Sequence, residues 1–369
     1  MTKIFLQIIR LFLRRLRPVL NQMRERHANI HRPKPRRHRR RRKTSYAPLV
    51  EDNNSNMPTE VLQPDSDSTY TRDCHVNGVS SRNPTNVVTR GLQFEDIHIQ
   101  QLIGSGGFGA VYEGTYGGHR VAVKKINVFT KNQRAAVESF KAELAGLRLK
   151  HKNIVRTILA SAGSNCSNCA FIIMEYAGDL NLQQLINDLS DPLPRERRLS
   201  YSLDIANALH YTHSHGIAHL DLKPSNVIIT PEDTCKLADF GCCQTVQDQH
   251  GHGSVSPTQR SYLTGTFAYR APELLRGDIP STKADIYSYG VTLWQMVTRE
   301  QPYAGENQHV VIFGVVAYHL RPSFMPNFLN DMNETWYVDM IMQCWSPKPE
   351  QRPMAATLVD TLSSHNQQH

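Results

Sequence analysis

Asp221, Lys223 and Asn226 fall within one short stretch, His219-Leu220-Asp221-Leu222-Lys223-Pro224-Ser225-Asn226. Phosphoryl transfer needs that set: an acceptor for the proton of an attacking hydroxyl, a cation for the moving phosphate and an oxygen for a metal ion. A further carboxylate, Asp239, ends the apolar run Cys235-Lys236-Leu237-Ala238 and is followed by Phe240-Gly241. That placing suits a Mg2+ ligand spanning the β- and γ-phosphates of ATP, with Asn226 on a second Mg2+.

Elements upstream must bring a nucleotide to these groups. Gln100-Gln101-Leu102-Ile103 reads as a strand, followed by Gly104-Ser105-Gly106-Gly107-Phe108-Gly109-Ala110-Val111. Glycines at this spacing also open the helix of dinucleotide folds, but Val111–Thr115 and Arg120–Ile126 read as further strands. Strand, glycine turn, strand is a hairpin whose backbone N–H groups cover ATP phosphates. Alternation puts Ala122, Lys124 and Ile126 on one face and Val121, Val123 and Lys125 on the other. Lys124 therefore shares its face with Ala122, and Lys125 is read as part-solvated. Val137, Phe140, Leu144 and Leu147 form an apolar stripe at helical spacing, with Glu143 at its edge. A carboxylate so placed wants a cation, and Lys124 is the candidate. Phe171-Ile172-Ile173-Met174-Glu175-Tyr176 reads as an apolar strand ending at an acidic segment; if that segment is a hinge between two lobes, Met174 is at the back of the adenine pocket with Glu175 and Tyr176 beyond it.

The charge is uneven. Residues 1–43 hold 16 Lys/Arg against one acid, Glu25, whereas the remainder holds 26 basic and 32 acidic residues. Ile4–Leu20 carries Arg10, Arg14 and Arg17 on one helical face, and its apolar stretch is too short to span a membrane. No small-residue cleavage site follows it. The block at 33–43 reads as a solvated arm or as a contact for anionic membrane, RNA or import receptors, with no obligate nucleic acid. Residues 44–93 are a linker rich in Ser, Thr, Asn and Pro, and compact structure is expected from about Phe94. Seven scattered cysteines point to a reducing compartment, and Cys166-x-x-Cys169 has no second half of a zinc site.

Over residues 94–362 these motifs resemble a eukaryotic protein kinase, and more narrowly the Mos family of serine/threonine kinases. The narrower likeness rests on the leucine in His219-Leu220-Asp221 and on Asp239-Phe240-Gly241-Cys242, Leu293-Trp294-Gln295-Met296 and Val315-Val316-Ala317-Tyr318. Pro302-Tyr303-x-Gly305-Glu306-x-Gln308-His309 belongs with them. The resemblance implies an α+β, two-lobed fold. A small antiparallel sheet with one helix forms the N-lobe (94–175), a larger helical C-lobe follows (178–362), and 363–369 is a tail. It also implies ATP and Mg2+ and a MAP kinase kinase as substrate in oocyte meiotic maturation and arrest; apart from the resemblance, a monomer in the cytoplasm is expected, with nuclear access through the basic block 33–43. Ala122 is implied over the adenine. Asp285 is implied as the holder of the catalytic-loop backbone, and Arg352 as the mate of Glu273 in Ala271-Pro272-Glu273. Lys223 with Thr266 resembles the serine/threonine pattern. The likeness does not reach the lead Met1-Thr2-Lys3, where vertebrate members begin Met-Pro-Ser, so no control of turnover is carried over to it. Two other readings compete: a pseudokinase scaffold, expected to have lost Lys124, Asp221 or Asp239, and a protein acting through its basic tail.

Most kinases hold an arginine at the position of Leu220 with a phosphate on the activation segment. Leu220 makes no such bond, so activity is expected to follow synthesis and degradation. Replacing Ser254, Ser256, Thr258, Ser261, Tyr262 and Thr264 together by alanine is expected to preserve most activity toward a MAP kinase kinase. Loss of most of it contradicts this reading.

Overall fold

The computed structural model describes residues 97–106, 109–126, 133–162, 170–246, 267–324 and 334–366, all within one compact unit, Asn83–His369. The expectations for 1–96, Gly107, Phe108, Cys166, Cys169 and the segment 247–266 with Thr266 lie outside the described residues. Strands β1 (Ile97–Gly106), β2 (Gly109–Tyr116) and β3 (His119–Ile126) are followed by helix α1 (Gln133–Gly146), β4 (Thr157–Ala162) and β5 (Ala170–Glu175). They build an antiparallel sheet in the order β1-β2-β3-β5-β4. The register sets Lys124 opposite Val111 on one side and Ile172 on the other, and Ala122 opposite Met174. Gly109 is required at the β2–β3 crossing, where a Cβ would lie 2.1 Å from the Lys125 carbonyl oxygen.

The expected alternation of β3 is observed. Val121 and Val123 pack with Ile97, Phe171 and Ile173, whereas Ile126 packs with Ala136, Ala170 and Ile172. Lys125 is part-exposed, with its ammonium over the Tyr112 ring.

Helix α1 corrects the sequence reading. The buried face is Ala136, Ser139, Glu143 and Gly146, while Val137 and Leu144 are exposed and Phe140 and Leu147 lie between. Close approach explains the reversal. A Cβ on Gly146 would sit 3.2 Å from the Thr157 hydroxyl, and Ser139 Oγ lies 2.6 Å from where a Cβ on Gly241 would be. Only small side chains fit such contacts, and the Lys124 ammonium draws Glu143 inward with them.

The second lobe follows: β6 (Leu180–Asn181), α2 (Leu182–Asn187), α3 (Arg195–Ser214), β7 (Ile217–Ala218), β8 (Val227–Ile229), β9 (Cys235–Leu237) and β10 (Gln244–Thr245). Helices α4 (Pro272–Arg276), α5 (Thr282–Thr298), α6 (Gln308–Tyr318), α7 (Thr335–Cys344) and α8 (Ala355–Asn366) complete it. Helix α8 runs to Asn366, beyond the expected boundary at 362, and Trp336 stacks on His365 at 3.7 Å. Helix α5 is apolar around most of its circumference and is buried from Ala284 to Val297, with Trp294, Tyr287 and Tyr289 in the main core. Among the described residues no helix is long and apolar enough to cross a membrane.

The expected Glu273–Arg352 pair is fully formed. The buried guanidinium donates to Glu273 Oε1 at 2.6 Å and Oε2 at 2.8 Å, and to the carbonyls of Ser346 and Lys283 at 2.9 and 2.8 Å. It ties α4 to the segment before α8. Truncating one member of a buried pair strands the other charge, so Arg352→Met is expected to lower stability by about 3–5 kcal/mol. Urea unfolding of the full chain checks this, and an unchanged midpoint contradicts it.

Candidate active site

A cavity of about 490 Å³ opens between sheet and helical lobe. Ile103, Gly104, Ser105, Gly106, Gly109 and Val111 line it from the hairpin, Ala122 and Lys124 from β3, and Met174, Glu175 and Tyr176 from the hinge. From below come Asp221, Lys223, Asn226 and Asp239, with Glu143 behind. Ala110 is the one described candidate that does not line the cavity: strand alternation turns it away between Gly109 and Val111, opposite Lys125. A Cβ on Gly106 would meet no protein atom within 4 Å, so that glycine leaves open space, not a packing contact. Sequence reasoning missed Val155, Ile228, Cys242 and Arg270 on the walls. Alternation in β8 offers a signal for Ile228, whereas Val155 gave none and Cys242 was read only as part of a family motif.

The catalytic loop is hung from one buried carboxylate. Asp285, near the start of α5, accepts the backbone N–H of His219 at 2.8 Å and of Leu220 at 2.7 Å. Its Oδ2 also meets His213 Nε2 at 2.9 Å. Leu220 adopts φ +64°, a left-handed conformation costly for a branched side chain, and is 5% exposed in the core. The His219 ring packs edge-on against Phe240 at 4.9 Å, and its Nε2 lies 3.0 Å from the Ala238 carbonyl oxygen. Beyond the bend, Lys223 Nζ donates to Asp221 Oδ2 at 2.8 Å. Asn226 Nδ2 donates to the same oxygen at 3.0 Å and to the Asp221 carbonyl at 2.8 Å, which leaves its amide oxygen as the atom for a cation.

Above the loop, Lys124 Nζ donates to Glu143 and, at 2.7 Å, to Asp239 Oδ1. Burial by itself would lower the lysine's pKa, but the Asp239 and Glu143 carboxylates hold it well above the usual range. Burial and the Asp239 charge push Glu143 up to about 7 against the pull of Lys124. At Asp239 enclosure acts upward, but Lys124 prevails and keeps the carboxyl well below its usual range. Asp239 also takes φ +64°. Among the described residues no group of three or more His, Cys, Asp and Glu could hold a metal. Asp239 and Asn226 offer hard oxygens that fit Mg2+, whose shell is ordinarily completed by phosphates and water.

At the hinge the Glu175 carboxylate accepts from Lys236 Nζ at 2.7 Å and from the Arg156 N–H at 3.0 Å, so its side chain is committed away from a ligand. Tyr176 donates its hydroxyl to Asp179 at 2.6 Å under the Arg120 guanidinium, which is 3.7 Å from its ring centre.

The raised Glu143 pKa has a definite sign. Folded, Glu143 keeps its proton to about 7, against an ordinary value of 4.5, so stability from this group falls as pH rises through that window. Relative to wild type, ligand-free Glu143→Gln is expected to gain on the order of 2 kcal/mol between pH 5 and pH 8.5. Urea midpoints measure it, and a pH-independent difference contradicts it.

A protein kinase domain model matches residues 97–362. The serine/threonine-protein kinase mos of Patiria pectinifera is 56% identical over 268 residues, covering 72% of this chain and 74% of that protein. The kinase of the same name from Xenopus laevis is 42% identical over 285 residues, covering 76% of this chain and 79% of its own length. The proto-oncogene serine/threonine-protein kinase mos of Mus musculus is 42% identical over 293 residues, covering 76% and 84%. With Lys124, Asp221 and Asp239 all present and facing one cleft, the scaffold reading has no support, and the chain belongs to the Mos family of serine/threonine protein kinases.

Proposed function

We propose that this kinase transfers the γ-phosphoryl group of ATP to a serine or threonine of a MAP kinase kinase, and so drives meiotic maturation and arrest in eggs. The observation that carries the phosphoryl-transfer reading is the single cleft holding the Lys124–Glu143 pair above Asp221, Lys223 and Asn226. The MAP kinase kinase is inferred from family membership.

In this reading Ile103, Val111, Ala122 and Met174 enclose the adenine, and Glu175 and Tyr176 border it through their backbone. The hairpin from Gly104 to Val111, including Gly107 and Phe108, covers the phosphates, which Lys124 steadies. Asp221 orients the attacking hydroxyl and accepts its proton; Lys223 and Asn226 hold its carboxylate in place and Lys223 screens the γ-phosphate. When bound at Asp239 and Asn226, Mg2+ neutralises charge on the phosphates. Because the transition state is loose, positioning and electrostatics supply most of the rate.

The proposed location is the cytoplasm, in keeping with seven cysteines scattered along the sequence without a paired framework. The kinase acts as a monomer in this reading, and residues 33–43 give it access to the nucleus. Removing residues 1–43 separates the tail from catalysis, since a kinase acting through its cleft keeps its phosphotransfer without them.

The test is phosphorylation of a purified MAP kinase kinase by the full chain beside Asp221→Asn. The variant is expected to lose at least about 100-fold. Equal signals from the two proteins overturn the assignment.

A further inference from the structure

We infer that Arg270 reads an acidic group on the protein substrate next to the acceptor hydroxyl. The inference rests on the serine/threonine kinase activity and goes beyond it to substrate choice. Among the described residues, charged side chains around the cavity are paired with one exception. Lys124 faces Glu143 and Asp239, Lys223 faces Asp221, and Glu175 faces Lys236. Arg270 lines the same cavity, half removed from water, and among the described residues no carboxylate pairs with it.

The backbone that carries Arg270 is fixed on both sides. Before it, buried Tyr269 donates its hydroxyl to Gln295 Oε1 at 2.6 Å, and its carbonyl accepts from Ser288 Oγ at 2.8 Å. The Arg270 N–H itself donates to the Phe267 carbonyl at 3.1 Å. After it, Glu273 is clamped by Arg352 at 2.6 and 2.8 Å. A solvated surface arginine needs no such anchoring. A cation held on rigid backbone at the wall of a reaction cleft, with no counter-charge among the described residues, is preorganised for an anion that arrives from outside.

Position in the fold favours the protein substrate over ATP. Arg270 stands in the helical lobe with Asp221 and Lys223, the end where the acceptor hydroxyl must sit, whereas the hairpin, Ala122 and Met174 face the nucleotide from the other lobe. The planar guanidinium matches a carboxylate through two parallel hydrogen bonds.

The experiment uses full-length kinase and serine peptides carrying Asp, Asn, Ala or Lys at each of the two positions on either side of the serine. Wild type is expected to favour Asp over Asn at one of those positions by about tenfold in kcat/KM, the value of a charge-assisted bond. Arg270→Gln abolishes the preference through the peptide KM, Arg270→Lys keeps part of it, and Arg270→Glu turns it toward Lys. A flat wild-type profile, or a preference that survives in Arg270→Gln, overturns the inference. So does a rise confined to the ATP KM, which assigns Arg270 to the nucleotide. An equal loss on every peptide, reproduced by the six alanines at 254–264, assigns it to a phosphate on the chain's own segment and also overturns the inference. Absence of any peptide phosphorylation by wild type contradicts the kinase reading itself, while phosphorylation with a flat profile contradicts only the role of Arg270.

Discussion

One buried ammonium joins three separate parts of this enzyme. Lys124 comes from the middle of the sheet, Glu143 from α1 and Asp239 from the segment after β9, and the three side chains meet behind the cleft. Two carboxylates around a single cation cannot both be fully compensated, so their titrations separate: Asp239 stays ionised and Glu143 holds its proton more tightly. Asp239 would hold a metal ion that offsets its charge, and Lys124 would then serve the phosphates. The cluster is therefore weak evidence for stability and stronger evidence for a fixed relation between β3, α1 and the catalytic lobe.

Below it, geometry is imposed by anions of the protein itself. Leu220 and Asp239 both sit at φ +64°, a conformation that costs about 1–3 kcal/mol for such residues and persists only where neighbours enforce it. Asp285 does so at Leu220 by accepting two consecutive backbone N–H groups, and burial of the leucine side chain adds a hydrophobic contribution. In the proposed account this replaces an arginine held by an added phosphate. The loop that carries Asp221 is set by folding, and Arg352 with Glu273 sets the far end of the activation segment in the same way.

The sequence made the motif-borne part of the site legible. Lys124, Glu143, Asp221, Asn226 and Asp239 were identifiable from residue type and spacing, whereas Asp285 and the Arg352–Glu273 pair came from the family resemblance. Strand alternation correctly separated Lys124 from Lys125. The same reasoning failed on α1, where the apolar stripe marks the exposed side and small residues mark the buried one. Hydrophobic periodicity assumes that burial follows apolar area, and a helix packed at close range around a buried carboxylate breaks that assumption. Long-range polar contacts were invisible for a different reason. Arg120 meets Tyr176 and Asp179 only because the fold juxtaposes segments far apart in the chain.

If the active geometry is built into the fold, covalent phosphate is dispensable. The direct measurement is kcat of the full-length kinase on a serine peptide before and after exhaustive phosphatase treatment, with the phosphatase removed. The account predicts rates that agree within about twofold, since Asp285 and the packed Leu220 supply what a phosphate supplies elsewhere. A fall of about tenfold or more that is reversed on rephosphorylation would contradict it.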